Sequence, residues 1–478
     1  MSDIVDFGAA DLSTQIHAKT ISCRELMQAT LKQIEKINPI HNAIVSLRDS
    51  AQLLADADAH DAMLSRGESK GWMHGLPQAI KDLSPAQGLP LTMGSPLLRS
   101  NIATHDGLMV QRMKAAGAIV IGKTNTPEFG LGSHTFNEVF GATKNAFDIT
   151  KTAGGSSGGA AVALATKMLS VADGSDFMGS LRNPAAWNNI YGMRPSNGRV
   201  PTWPAADAFV SQLGTEGPMG RNVRDVALLL QTQAGFDART PLAISQPFVW
   251  PDVWPDVSET SSQSLLKKAP RIGWLGDLNG YLAVEPGIND LCEQELKRLT
   301  SAGCNVESIS LGYPPEKVWQ AWLIWRAVLV ASRLAPFAAN ADNLALMKPE
   351  ALWECESGRH VSGAQFMQAS VDRTHFYHHM ASLFETYDYL ALPSAQVWPF
   401  SVQERWPKTI NGRAMDTYHR WMEAVIYATF AGLPCISVPV GFGTPTDGAT
   451  PLPMGMQIIG RPQADLSVLQ LAALYEAL

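Results

Sequence analysis

Gly154-Gly155-Ser156-Ser157-Gly158-Gly159, followed by the small-residue run from Ala160 to Lys167 and by Ser175-Asp176-Phe177-Met178-Gly179-Ser180-Leu181-Arg182-Asn183-Pro184, is the stretch on which the fold is read. A glycine-flanked serine sits at either end, too far apart for one turn to hold both and too glycine-rich for ordinary core packing. Glycine admits positive φ and leaves neighbouring N–H groups unshielded, so a substrate oxygen can approach them. Serine is a weak nucleophile without a base, and the stretch contains no histidine. Upstream, Gly75-Leu76-Pro77-Gln78-Ala79-Ile80-Lys81-Asp82 puts a lysine at the end of a short apolar run that reads as a buried strand. A lysine taken out of water loses basicity and can itself serve as the base. The plain alternative for the glycine block is a flexible linker.

Two motif matches lead elsewhere and fail on context. Gly154-x-Ser156-x-Gly158 has the form of a nucleophile elbow, but that motif needs a strand before the serine, and Asp148 to Ala153 is weakly polar and reads as a loop. Gly117-x-x-x-x-Gly122-Lys123-Thr124 has the form of a phosphate loop. Its intervening residues are themselves an apolar strand, and Pro127 follows where a helix should begin.

The serine and lysine blocks occur together with Gly192-Met193-Arg194-Pro195-Ser196-Asn197-Gly198-Arg199, with Gly432-Leu433-Pro434 and Ser437-Val438-Pro439, and with Gly455-Met456-Gln457-Ile458-Ile459-Gly460-Arg461-Pro462. In order and spacing, over most of its length, the chain resembles the amidase signature family. The resemblance implies an α/β fold, with a large mixed, mostly parallel twisted sheet covered by helices on both faces. It implies Ser180 as nucleophile, Ser156 as a relay held by a cis peptide, and Lys81 as base. Backbone N–H groups around Phe177, Met178, Gly179 and Ser180 would hold the oxyanion, with Ser157, Asp176 and Arg182 as supports. Gly130 to Ser133 would back the substrate pocket, making Gly132 and Ser133 substrate contacts, and Trp322, Trp325 and Trp398 are the aromatic candidates for the same role. No cofactor and no metal are implied. Two departures stand out: Met178 where the family usually has glycine, which narrows the site beside the oxyanion, and Leu83 where asparagine is common.

The organisation expected is an N-terminal helical region over 1–70, acting as a lid or a dimer surface, and a catalytic core over 71–240. Residues 241–478 continue the same domain, with a helical, aromatic-rich insertion at about 316–380 that covers the substrate. The proline-, serine- and tryptophan-rich segment from Pro241 to Ser264 is the best boundary candidate. A helix is expected from Ala414 to Phe430, another begins near Asp465, and His375, His378 and His379 read as a solvated helix face rather than a metal site.

Of the 478 residues, 17% are charged and the net charge is −7, so there is no basic footprint for nucleic acid or an anionic membrane. Five scattered cysteines without a Cys-x-x-Cys pair fit a reducing cytoplasm. No secretory segment follows Met1, and no run of about 18 apolar residues is evident. The reading is an amidase that hydrolyses the C–N bond of a small apolar or aromatic carboxamide through an acyl-enzyme, with a homodimer left open. The alternatives are the glutaminase subunit of a tRNA amidotransferase and a catalytically silent binding protein of the same fold.

Overall fold

Apolar runs alternating with helices, and glycine-rich strands joined more directly, build two sheets in different ways. The structure, a computed structural model, describes residues 3–251, 269–445, 448 and 450–478. Strands β1 (Ile44–Val45), β2 (Pro77–Lys81) and β3 (Ile119–Thr124) form a small sheet in the order β1-β3-β2. The larger sheet uses β4 (Val171–Asp176), β5 (Tyr191–Arg194), β6 (Thr215–Gly220), β7 (Arg271–Trp274), β8 (Asn305–Ser308) and β9 (Tyr389–Pro393). A short hairpin, β10 (Thr409–Ile410) and β11 (Arg413–Ala414), precedes the last two long strands, β12 (Cys435–Gly443) and β13 (Leu452–Gly460). The eight-stranded order is β4-β6-β5-β12-β13-β9-β7-β8, and helices cover the sheet on both faces.

The sheet is mixed, as expected, but it is not mostly parallel. Pairings β4/β6, β6/β5, β5/β12, β12/β13 and β13/β9 are antiparallel, whereas β9/β7 and β7/β8 are parallel. Where a helix joins two consecutive neighbouring strands the pairing is parallel: β2/β3 and β7/β8 are parallel across helices Leu108–Ala115 and Ile288–Ser301. Between β12 and β13 there is only a short connection, which can join antiparallel neighbours alone.

The helices at Ala9–His17 and Cys23–His41 lie in a core cluster with β2, β3 and the Gly158–Ala165 helix, and Asp225 accepts from the N–H groups of Ala9 and Ala10 at 2.8 Å each. Three helices, Pro315–Ala338, Pro349–Arg359 and Gly363–Thr386, form the expected helical insertion. The first of these is long and apolar enough to cross a membrane, contrary to the expectation that no such run exists; it packs on the other two and buries Trp319, Trp322 and Trp325. The helix expected over Ala414–Phe430 is interrupted. Arg420–Val425 is a 3₁₀ segment with Met422 at non-helical angles, and only Ile426–Phe430 is α-helical. In the boundary candidate, Phe248 and Trp250 pack into the large core, and residues 252–264 lie outside the described residues. His375 and His378 are exposed as expected, while His379 is half-buried and its Nε2 bonds the Leu311 carbonyl at 2.6 Å.

Candidate active site

Lys81 ends β2 with its side chain fully buried, and four oxygens surround its Nζ: Ser156 Oγ and Ser157 Oγ at 2.8 Å, Ser175 Oγ at 3.0 Å and Ser175 O at 3.3 Å. All four are neutral. Burial lowers the lysine pKa to about 7, against the opposing pull of Asp176, Asp173 and Glu216. The Asp173 carboxylate, on β4, accepts the Lys81 backbone N–H at 3.1 Å and so registers the two sheets at this point. One strand away, Lys123 lies buried inside β3 with Nζ on the Ser84 carbonyl at 2.6 Å, which accounts for the phosphate-loop resemblance as part of a strand.

The glycine block is a loop that enters the Gly158–Ala165 helix, and the Gly155–Ser156 peptide is cis. Ser133–Thr135 cradles it. Ser133 Oγ bonds Gly155 O at 2.6 Å, and Thr135 Oγ1 donates to Gly154 O at 2.8 Å and accepts from Gly158 N–H at 3.2 Å. Glycine is required at 159 because a Cβ there would lie 2.4 Å from the Asn125 nitrogen; the helix rests directly on backbone.

The second serine loop hangs on Asp176. Its carboxylate takes the Gly179 N–H at 2.9 Å, the Leu181 N–H at 3.1 Å and a two-pronged contact from Arg182 at 3.0 Å. Burial alone would raise this carboxyl, but the Arg182 and Arg194 guanidiniums hold it well below the usual range. Arg182 reaches on to Val425 O at 2.9 Å, Thr429 Oγ1 at 2.8 Å and Gln457 Oε1 at 2.5 Å, so the loop is tied to β13. Gly179 has φ +81°, and a Cβ there would sit 2.7 Å from Val425 Cγ2. Since the Gly179 N–H is spent on Asp176, it is not available to an oxyanion. Among the described residues, no protein acceptor pairs with the N–H of Phe177, Met178 or Ser180.

Ser156 and Ser180 line one cavity of about 50 Å³ together with Phe177, Met178, Gly132 and Arg326. Leu83, Ser175, Phe177 and Arg333 also face a second, more open cavity of about 430 Å³. Of the expected substrate contacts, Gly132 is in the wall and the others are not. Ser133 is turned onto Gly155 and Asn183. Trp322 packs edge-on to Phe177 from behind, Trp325 lies under Arg373 and Phe366, and Trp398 bonds Pro286 O at 3.1 Å in the core. Aromatic residue type carries no directional signal, so sequence could not sort these. No residue of the N-terminal helices 9–41 is among those that line the catalytic cavity.

Sequence reasoning also missed Ser175, Arg194 and Arg326. The first two stand inside motif blocks already quoted, and Arg326 carries no local signal at all. Arg194 Nη1 donates to Asp176 O at 2.6 Å. Arg326 is buried, with Nε on Glu354 Oε1 at 2.7 Å and Nη2 on Tyr418 OH at 2.6 Å.

The comparisons with known proteins agree with this architecture. The model of the family described as Amidase matches residues 25–469. The chain is 32% identical to a glutamyl-tRNA(Gln) amidotransferase subunit of Acidothermus cellulolyticus, over 100% of this chain and 95% of that protein. It is 30% identical to an acylamidase of Rhodococcus erythropolis, over 98% and 94%. The solved structure of a bacterial aryl acylamidase of the amidase signature family superposes with a TM-score of 0.88 at 30% identity, covering 98% of this chain and 96% of that one. With two serine loops and a buried lysine set in a fold shared from end to end, the chain belongs to the amidase signature family of hydrolases.

Proposed function

We propose that the protein is an amidase in which Ser180 attacks the carbonyl of a small carboxamide, Ser156 relays the proton and Lys81 receives it. The observation that carries this reading is Lys81: a buried amine with a pKa near 7, whose Nζ meets the hydroxyls of Ser156 and Ser157 at 2.8 Å and only neutral acceptors besides. As a neutral amine it takes the Ser156 proton, Ser156 takes that of Ser180, and the new C–O bond places negative charge on the carbonyl oxygen. The unpaired N–H groups of Phe177, Met178 and Ser180 are the donors proposed for that oxygen. Return of the proton to the nitrogen breaks the C–N bond and frees the amine, and water then releases the acid from Ser180.

Cavity size supports a substrate class. The small space beside Ser180, walled by Phe129, Leu131, Val330 and Met422, suits a short acyl group; the adjoining cavity suits an aromatic amine as leaving group. Likeness to an acylamidase and an aryl acylamidase supports the same choice. Five buried free cysteines fit the reducing cytoplasm as its location. Treatment with a serine-reactive phosphonate followed by mass spectrometry should place the adduct on Ser180 and abolish release of nitroaniline from short-chain 4-nitroanilides. An adduct on another serine overturns the assignment.

A second reading, the glutaminase subunit of a tRNA amidotransferase, is favoured by the 32% identity to one such protein. Ammonia release from glutamine, or partner chains copurifying with the protein, would move the assignment there.

A further inference from the structure

Arg326 stands on the Pro315–Ala338 helix, 3% exposed, and forms part of the catalytic cavity wall. Its donors are unevenly used. Nε and Nη2 are satisfied by Glu354 and by the Tyr418 hydroxyl, which itself donates to Glu354 Oε1 at 2.5 Å. The acceptor the protein offers Nη1 is the thioether sulfur of Met178 at 3.7 Å, a weak partner for a buried cation. Buried guanidinium N–H groups are ordinarily all paired, and Arg326 and Met178 both line the cavity that holds the nucleophile, so this weakly paired donor is suited to a substrate atom. The ligand chemistry follows from the charges. Glu354 already neutralises Arg326, so a carboxylate set on Nη1 would find its countercharge only in the solvent-exposed Arg333 of the same wall, whereas a neutral oxygen completes the donor set without adding a charge. The cavity of about 50 Å³ also contains Ser180, so this oxygen must lie within a few bonds of the carbonyl carbon.

We propose that Arg326 is a specificity-determining residue, and that the acyl group the enzyme prefers carries a neutral hydrogen-bond acceptor, an ether, hydroxyl or carbonyl oxygen, close to the scissile carbonyl. This rests on the proposed amidase reading and narrows it from a purely apolar acyl group.

The test compares 4-nitroanilides of methoxyacetic and butyric acid, which have chains of equal length and differ by an oxygen in place of a methylene. Each kcat/KM is divided by the rate constant for hydroxide hydrolysis of the same compound, which removes the electronic effect of the ether. The corrected ratio should favour the methoxyacetyl compound by about tenfold, the effect of a hydrogen bond to a charged donor. In the Arg326→Met/Glu354→Met double variant, which removes both charges together, the ratio should fall to about one. A corrected ratio of one in the unaltered enzyme, with both compounds hydrolysed, overturns the inference and leaves the amidase reading standing. A preference that survives in the folded double variant also overturns it. Failure of the enzyme to hydrolyse either compound overturns the amidase reading and the inference with it.

Discussion

Two buried cations belong to the site, Lys81 behind Ser156 on the sheet side and Arg326 in the cavity wall on the helical side, and their surroundings drive them opposite ways. Lys81 has only hydroxyls and a carbonyl around its nitrogen, so burial lowers its pKa to about 7. Arg326 is as deeply buried but sits against a carboxylate, and although burial pulls its pKa down, Glu354 leaves it raised. Burial alone therefore does not make a base; burial with neutral partners does. One wall of the site is equipped to exchange a proton and the other to keep its charge.

The most severe way to break the comparison is to remove the exchanging side. Lys81→Met and Ser180→Ala should each lower kcat/KM by about 10⁴-fold or more, since groups that act as a unit fail together. Steady-state assay of the folded variants checks this, and activity within tenfold of the parent would show that Lys81 is merely a buried structural amine.

Gly179→Ala should cost on the order of 100-fold in kcat, the scale of losing an oxyanion donor. The added methyl would lie 2.7 Å from Val425 at a φ of +81°, so the loop carrying Met178 and Ser180 must shift. Single-turnover rates separate this loss from weaker substrate binding. A variant with full activity would mean that the 177–180 loop does not hold the oxyanion.

The sheet side was legible for the same reason that Gly179 is sensitive. Where backbone touches backbone, or φ is positive, glycine is compelled, and a compelled residue leaves a mark in sequence: Gly159 against Asn125, Gly179 against Val425. The helical wall leaves no such mark. Arg326, Glu354 and Tyr418 come from three separate segments, and each is an ordinary residue in its own neighbourhood; only packing brings them together. The five antiparallel pairings of the large sheet were hidden for a related reason, because pairing direction depends on which strands become neighbours, and β5 finds β12 only across about half of the chain.

A pH profile sharpens the comparison. The neutral amine of Lys81 is the active form, and its pKa is lowered by burial, so kcat/KM should rise about tenfold per pH unit below a midpoint near 7 and level off above it. Asp176, Asp173 and Glu216 oppose that lowering, so Glu216→Gln should move the midpoint further down. A midpoint that rises on loss of this carboxylate would indicate that the profile reports a group other than Lys81.

The smallest effect on activity should come from the aromatic residues behind the wall. Trp398 has its indole N–H on Pro286 O at 3.1 Å, and its ring would meet a Cβ added at Gly443 at 2.5 Å, well inside the core. Trp398→Phe loses that hydrogen bond and part of the ring, which should lower stability by about 1–2 kcal/mol. Because the residue forms no part of the cavity wall, kcat/KM for both nitroanilides should stay within about twofold of the parent, the range of a site with no transition-state contact. A urea midpoint and a kinetic assay on one preparation decide the matter. If KM changes while the midpoint does not, Trp398 contacts substrate in a state more open than this one, and the division between a chemical side and a merely supporting aromatic shell would have to be redrawn.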